Sequence, residues 1–353
     1  MKRRQHGPEL TRRELLRWGA LTGGALAGVG GLGPAGDLAG RWAPSLEGLA
    51  RAAEPLKVRM GYARIWTMPG IFVGIKKGWF DGPKLKVAWT DLAASMKQIE
   101  AIVAGDLDGG ILTATGTTIA VARGLKVRAV ADHNSYKHGA GEAIAWYTWA
   151  GSGIKTPKDL RGKQIAISSY GSSLDLKTRV LLADHGIDPK TGAQLIEMPM
   201  PTAVKSILAR RLDASAFPPA FWIGLPKDRV HKLADQWYRE DYRKHTTPNF
   251  VIVFSQEFLR TQRAAAVEFL RVYLRAAGFV NDHPDETNQI WAEWAKAPRE
   301  IRHLYIPRDG RLDVSGIQLL ADQLHQFGYI NRKVSVKDEV VDMSVLEEAL
   351  RPA

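Results

Sequence analysis

The sequence predicts an α/β fold made of two successive units, each a mainly parallel sheet flanked by helices, with more helices at the end. From Leu56 onward, short β-branched runs alternate with amphipathic runs of helical period, a pattern typical of parallel sheets. A second alternation of the same kind begins near Gly153. The chain of 353 residues is long enough for two cores, because single cores stop growing near ~250–300 residues.

The first unit begins with strands predicted at 57–63 and 84–89. Asp91 is the predicted N-cap of a helix with Met96, Ile99 and Val103 on its apolar face, and Gly105 ends that helix. The remaining predictions for this unit are a strand at 110–113, a helix at 117–123, and strands at 127–131 and 143–149.

In the second unit, Thr156 and Pro157 have the order of an N-cap and a first helical residue. Strands are predicted at 164–168, 195–197 and 214–217, helices at 174–184 and 203–211, and a last strand at 250–254. In the helical region that follows, Val267, Leu270 and Leu274 share one face, opposite to Glu268 and Arg271. That pattern is typical of a surface helix packed on a core.

The N-terminal segment has the composition of an export signal. Paired arginines, Arg12 and Arg13, precede an apolar Gly/Ala-rich run at 18–32, which is shorter than the roughly 20 residues that cross a bilayer. A basic start, a short apolar middle and a small-residue exit indicate a secretory signal, and the arginine pair resembles the twin-arginine type. We therefore expect residues 1–52 to be a twin-arginine signal peptide and the protein to be exported to the periplasm by that machinery. A Sec signal, a basic tail, or a cut after Ala35 rather than Ala52 would also fit.

The composition excludes several kinds of function. The absence of cysteine excludes disulfides, thiolate metal sites and a cysteine nucleophile. The formal net charge is +12, but the basic residues are spread evenly and form no nucleic-acid-binding pattern. We predict no cofactor, no metal site and no nucleic-acid partner, and we expect a monomer.

Several segments resemble one known family. The segment 155–166, KTPKDLRGKQIA, resembles the signature that opens the second lobe in periplasmic substrate-binding proteins of the nitrate/sulfonate/taurine (NMT1/THI5-like) family. Segments 100–108, 168–173, 185–187 and 323–342 are similar to other parts of that family. The resemblance implies a two-lobed periplasmic-binding-protein fold of type II with a central ligand cleft. Lobe one would hold 56–149 plus 249–353, lobe two would hold 153–245, and the crossings near 149–153 and 246–249 would be hinges.

Candidate ligand residues lie where strands end and helices begin, which is where α/β sheets bind ligands. Helix N-termini hold anions well, and two hydroxyl-rich junctions, 113–118 and 168–173, follow predicted strands. The same residue types also serve as plain N-caps, but the resemblance implies ligand contacts at both junctions. Aromatic side chains could cover the body of a ligand, and His133 follows a strand end. The predicted ligand-binding residues are Trp66, Thr115, Gly116, Thr117, His133, Ser169, Tyr170, Gly171, Ser172, Ser173, Phe217, Pro218, Trp222 and Asn249.

The resemblance implies that the protein is the binding component of an ABC importer, which captures a small ligand and delivers it to an inner-membrane permease. Relatives often carry an acidic residue where this chain has Pro218, which disfavours an amino-sulfonate and leaves nitrate, a simple sulfonate, an aromatic acid or a pyrimidine. An enzyme is not expected, because His133 and His138 form no metal or nucleophile pattern with an acidic residue. A thiamine-pyrimidine-synthase-like enzyme of the same fold is disfavoured, because in relatives that chemistry depends on a cysteine-rich motif. A ligand-sensing protein would share every feature and stays open.

Overall fold

The computed structural model describes residues 54–140, 143–295 and 305–352, so the predicted signal peptide at 1–52 lies outside the described residues. The strands are β1 (Leu56–Tyr62), β2 (Leu85–Asp91), β3 (Gly109–Thr113), β4 (Val127–Tyr136), β5 (Ala145–Trp149), β6 (Gln164–Ile167), β7 (Gln194–Glu197), β8 (Ala214–Phe217), β9 (Val230–Asp235) and β10 (Thr247–Ser255).

The α-helices are α1 (Pro69–Lys76), α2 (Ser95–Ala104), α3 (Ala114–Ala122), α4 (Ser173–Asp184), α5 (Met200–Leu208), α6 (Pro219–Trp222), α7 (Glu240–Lys244), α8 (Gln256–Thr261), α9 (Arg263–Asp282), α10 (Pro284–Ala295), α11 (Val314–Gln326) and α12 (Ser344–Leu350). Short 3₁₀ turns cover Pro157–Leu160 and Gln236–Tyr238, and a π-helical turn covers Val336–Val340. In the described part of the chain, no helix is long and apolar enough to cross a membrane.

The strands form two five-stranded sheets with the same design. The first sheet has the order β2-β1-β3-β10-β4 and the second has the order β7-β6-β8-β5-β9. Only β10 runs against its neighbours in the first sheet, and only β5 does so in the second. The predicted α/β fold with mainly parallel sheets is therefore confirmed.

Strands β5 and β10 each connect distant parts of the chain. Strand β10 returns after the whole second sheet and inserts between β3 and β4, where Phe250 pairs with both Thr113 and Asn134. Strand β5 pairs with β8 and β9 and so belongs to the second sheet, although the sequence analysis grouped its residues with the first unit. The lobe ranges themselves stay a prediction.

Apolar clusters cover both faces of the first sheet and surround the second. One face packs α1, α9 and α12 around aromatic side chains such as Phe72, Phe254 and Phe269. The other face packs α2, α3 and α11, and Leu176 of α4 is buried in that same cluster. A third cluster, centred on Trp146 and Leu181, belongs to the second sheet. Because Leu176 follows β6 of the second sheet, helix α4 anchors that sheet to the core of the first.

Local expectations were confirmed where backbone chemistry decided them. Gly105 ends α2 in the left-handed conformation with φ 81°, and Thr156 forms a capping box before Pro157. The predicted cap at Asp91 is wrong: Asp91 is the last residue of β2, and α2 begins only at Ser95. Its apolar face was also partly wrong. Met96 and Val103 are exposed, whereas Gln98 is buried and its side-chain N–H donates to the Leu92 carbonyl.

Candidate functional site

The predicted ligand residues of the first sheet lie along one of its edges. Strands β1, β3 and β4 end at this edge and β10 begins there, since Thr247 pairs with Tyr136 and Phe250 pairs with Thr113. The loop that holds Trp66 and the junction at Thr113 follow strand ends. His133 and Asn249 instead lie inside β4 and β10, near the ends of those strands at this edge, so the prediction that His133 follows a strand end is wrong. The topology therefore collects them at a single edge, as expected for an α/β ligand site.

The second sheet repeats the arrangement. Strands β6 and β8 end where β5 begins, because Ala145 pairs with both Phe217 and Asp235. The hydroxyl-rich junction at 168–173 follows β6, and the segment from Phe217 to Trp222 follows β8. Each sheet thus brings its own share of the predicted residues to one edge.

The junction before α3 is built as an N-cap. The Thr113 hydroxyl accepts a hydrogen bond from the Gly116 N–H at 3.1 Å, and the Thr117 hydroxyl donates to the Thr113 carbonyl at 3.0 Å. A Cβ atom at Gly116 would lie 2.9 Å from the Thr113 hydroxyl oxygen, so glycine keeps this cap intact. Because the side chains of Thr113 and Thr117 bond within the helix, the groups left for a ligand are the first N–H groups of α3, which lack intrahelical acceptors.

The junction before α4 contains a buried carboxylate. The Ser172 hydroxyl caps the helix by accepting from the Asp175 N–H, and the Gly171 N–H donates to Asp175 Oδ2 at 2.8 Å. The Asp175 side chain is 0% exposed and pairs with Arg179 at 2.8 Å. Tyr170 points outward, with its hydroxyl on the Leu195 carbonyl. The Gly171 N–H, which was predicted to bind a ligand, is therefore already hydrogen-bonded to Asp175.

Contacts near Asp175 bring the start of α4 close to α3 and to the segment after α11. The Tyr329 hydroxyl, from the segment after α11, donates to Asp175 Oδ2 at 2.6 Å. Burial raises the pKa of Tyr329, and its bond to Asp175 raises it further, so the hydroxyl stays a donor. A Cβ atom at Gly171 would lie 4.0 Å from Ile119 Cδ1 of α3. The edge of the second sheet thus lies against α3 of the first.

His133 and its neighbours hold the loop that carries Trp66. The His133 Nε2 atom lies 3.0 Å from the Thr67 carbonyl oxygen, and Asn134 donates to the same oxygen at 2.6 Å. Asn249 donates to Asn134 Oδ1 at 3.1 Å. Burial lowers the pKa of His133 to about 4, so its imidazole is neutral and its Nε2 carries the proton that the Thr67 carbonyl accepts. The structure shows these side chains supporting the Trp66 loop, and direct ligand contact by His133 or Asn249 stays a prediction.

The aromatic group of the second sheet is preorganised. Phe217 is fully buried at the end of β8 and Pro218 precedes α6 as its N-cap. The Trp222 indole N–H donates to the Ala143 carbonyl at 2.9 Å, and its ring lies 6.1 Å from the ring of Tyr147. With its N–H engaged, Trp222 can offer a ligand only its apolar ring.

Arg64, which is close to Trp66 in sequence, turns away from the predicted site. Its guanidinium lies 4.4 Å from the Trp294 ring and 3.4 Å from Asp91. Both partners hold it on the outer side of the first sheet, beside β2 and α10. No contact in the described chain directs this arginine toward the junctions.

Sequence reasoning missed four residues that organise the site. Asp175 had a usable signal, because its spacing of four from Arg179 is that of a helical ion pair. Asn134 and Tyr329 had none, since their partners are 67 and 154 residues away. Thr67 acts through its backbone carbonyl, which any residue type could supply.

Comparison with known proteins decides the family. A family model described as "NMT1/THI5 like" matches residues 67–287, more than half of the chain. The chain belongs to the NMT1/THI5-like family. The match begins at Thr67, whose carbonyl holds His133 and Asn134, and it includes both junctions. No curated protein sequence matches the chain.

Solved structures share the fold of this NMT1/THI5-like chain. The periplasmic aliphatic sulphonate binding protein SsuA from Escherichia coli is 18% identical, with a TM-score of 0.66 over 82% of this chain and 92% of that one. The ligand-binding component of an ABC-type import system from Staphylococcus aureus is 17% identical, with a TM-score of 0.68 over 84% and 100%. The periplasmic nitrate-binding protein NrtA from Synechocystis is 14% identical, with a TM-score of 0.66 over 84% and 88%. At these identities the likeness establishes the periplasmic-binding-protein fold and not the ligand.

Proposed function

We propose that the chain is the substrate-binding component of an ABC importer, which captures a small ligand in the periplasm and delivers it to a membrane permease. Membership of the NMT1/THI5-like family is the observation that carries the proposal. The approach of the second junction to α3, where a Cβ atom at Gly171 would lie 4.0 Å from Ile119 Cδ1, supports it physically. Binding rather than catalysis is the proposed role, and twin-arginine export and a monomeric state belong to the same proposal.

The proposed ligand is nitrate, a simple sulfonate, an aromatic acid or a pyrimidine. The predicted contacts are hydroxyls, backbone N–H groups and aromatic rings, and Asp175 is already occupied by Arg179 and Tyr329. The α4 start has a buried carboxylate in its first turn and the α3 start has none. Because acidic groups near a helix start oppose a second anion, we assign the charged end of the ligand to α3 and its body to Trp66 and Trp222.

The proposed mechanism is closure of two lobes on the ligand by hinge motion, a known way to enclose ligands. The lobe ranges predicted from the sequence, 56–149 plus 249–353 and 153–245, need one change: β5 (Ala145–Trp149) pairs within the second sheet, so the first crossing precedes Ala145 rather than lying at 149–153. The crossing near 246–249 stays in the proposal, because β10 of the first sheet begins at Thr247. Ligand favours closure only to the extent that it binds the closed form better.

A thermal-shift panel tests the proposal. Ligand-free protein is heated with nitrate, alkanesulfonates, aromatic acids or pyrimidines, and one class should raise the melting temperature. Thr113→Val and Ser172→Val remove the side-chain caps that position the two helix starts, so each should reduce that ligand-dependent rise by about 1 °C or more. Ser255→Val is the matched control for a lost cap, because Ser255 caps α8 at the opposite sheet edge, and Thr118→Val controls for the loss of a threonine hydroxyl within α3.

The panel also separates the alternative functions. An unchanged ligand shift in both site variants would contradict the assignment of these junctions. Chemical conversion of the stabilising compound would contradict binding without catalysis. Ligand binding without ligand uptake, in cells that also carry a candidate ABC permease, would favour a ligand-sensing protein.

A further inference from the structure

A serine at the start of α2 joins that helix to the start of α3. Ser95 is the first residue of α2, and its hydroxyl oxygen accepts the Thr113 backbone N–H at 3.1 Å. The Thr113 hydroxyl also donates to that oxygen, at 3.4 Å. Strand β2 runs parallel to β1, so α2 begins at the same sheet edge as the predicted ligand residues. Ser95 nevertheless belongs to neither of the hydroxyl-rich junctions that the sequence indicated.

The Thr113 N–H depends on Ser95, because the neighbouring strand offers it no acceptor. The last pair between β1 and β3 joins Gly61 with Gly110, three residues before Thr113. Ser95 is also free to act on another element, because it is not the cap of its own helix. The N-cap of α2 is Ala94, and no side chain caps that helix. Ser95 therefore supplies the acceptor that pairing with β1 does not.

The contact continues from Thr113 to the first turn of α3. Thr113 Oγ1 accepts the Gly116 N–H at 3.1 Å, so the side chain that caps α3 is one that Ser95 holds. A Cβ atom at Gly116 would lie 3.3 Å from Ser95 Cβ, which shows how closely the two helix starts pack. Ser95 thus fixes both polar groups of the N-cap residue. The direction of the first N–H groups of α3, which have no acceptor within the helix, follows from that cap.

The surroundings of this helix start favour an anionic group. Neither α2 nor α3 has an acidic residue in its first turn, and the partial positive charges of two adjacent helix starts add. Thr115 is only 1% exposed, and its hydroxyl has no hydrogen-bond partner in the described part of the chain. Thr115 and Ile119 are four residues apart and share a face of α3, and Ile119 is the residue that approaches Gly171. The free Thr115 hydroxyl therefore lies on the face of α3 that is turned toward the second junction.

We propose that Ser95 is a positioning residue of the ligand site: by holding Thr113, it directs the first N–H groups of α3 at the anionic end of the ligand. The inference rests on the proposed function and adds to it a residue that does not itself touch the ligand. It has a specific electrostatic consequence. A carboxylate at position 95 would lie beside the start of α3 and would oppose a second anion there.

The test uses Ser95→Asn and Ser95→Asp as a matched pair, because both offer an oxygen to the Thr113 N–H and only the second adds a charge. An acidic residue in the first turn stabilises a helix, so the Asp variant should melt at the same temperature as the Asn variant or higher. Calorimetric titration with sodium nitrate, sodium methanesulfonate and sodium benzoate identifies which anion the native chain binds. That anion should bind the Asp variant about fivefold or more weakly than the Asn variant, a loss that a purely structural role would not produce.

Ser95→Ala, which removes the oxygen, gives a second readout on the full-length chain. Hydrogen exchange of the Thr113 and Gly116 amides should become about fivefold faster, and affinity for the same anion should fall about fivefold. Ser255→Ala is the control, because it loses a bond of the same 3.1 Å length, to the Phe258 N–H at the opposite sheet edge. The control should change neither quantity.

Three results would overturn the inference. They are equal anion affinities of the Asn and Asp variants, unchanged exchange at Thr113 in Ser95→Ala, and binding of uracil, a neutral pyrimidine, by a native chain that binds none of the anions. The third result would leave the proposed function standing. Failure of all four compounds to bind the native chain would count against the proposed function, and the exchange measurement would still decide whether Ser95 holds the start of α3.

Discussion

Tyr329→Phe should weaken the connection between the two sheets by removing a single oxygen atom. The Tyr329 hydroxyl donates at 2.6 Å to Asp175, a carboxylate that is 0% exposed. After the change, Asp175 keeps Arg179 and the Gly171 N–H but loses its third partner. A hydrogen bond to a buried charged group contributes about 1.5–3 kcal/mol, so the free energy of unfolding should fall by about 2 kcal/mol.

Urea unfolding followed by circular dichroism measures this loss, with an unchanged slope showing that the folded state stays compact. The melting temperature should fall by roughly 4–8 °C. Tyr305→Phe is the control. In the described structure the Tyr305 hydroxyl makes no hydrogen bond, and the contact of the Tyr305 ring with the Lys137 ammonium does not need the hydroxyl. A double-mutant cycle with Asp175→Asn should give a coupling energy of about 1 kcal/mol or more. A loss below about 0.5 kcal/mol for Tyr329→Phe would refute the reasoning.

Two further changes have predictable effects on stability. Burial raises the pKa of Asp132 well above its usual value, and the nearby charges of Asp313 and Asp309 raise it further. The contribution of Asp132 to the free energy of unfolding is therefore present below about pH 3.9 and is lost as the pH rises through the pKa of Asp132 in the folded state. Asp132→Asn should therefore be more stable relative to the native chain at pH 8 than at pH 4, and equal urea midpoint differences at both pH values would contradict it. Gly278→Ala should stabilise α9 by about 0.5–1 kcal/mol, because a Cβ atom there meets nothing within 4 Å; a lower melting temperature would show an unseen contact.

Much of the fold could be predicted because local chemistry decides it. Apolar periodicity located most strands and helices, and Gly105 and Thr156 marked element ends through their backbone preferences. Helix α1 and strand β9 were not predicted. Most of β9 is half-buried or exposed, so it lacks the alternation that identifies a strand. The place of β5 in the second sheet depends on pairing with β8 and β9, which no local pattern encodes.

For the candidate site, the sequence by itself determined the family and the two hydroxyl-rich junctions, because residue types and their order along the chain carry that information. Tertiary structure alone decided which groups are already used: the Gly171 N–H by Asp175, the Trp222 N–H by Ala143, and the His133 imidazole by Thr67. It also placed Lys177, an ordinary helix lysine in the sequence, in a buried cavity. The physical reason is that a polar group's role depends on its solvation and its partners, and folding brings those partners from distant parts of the chain.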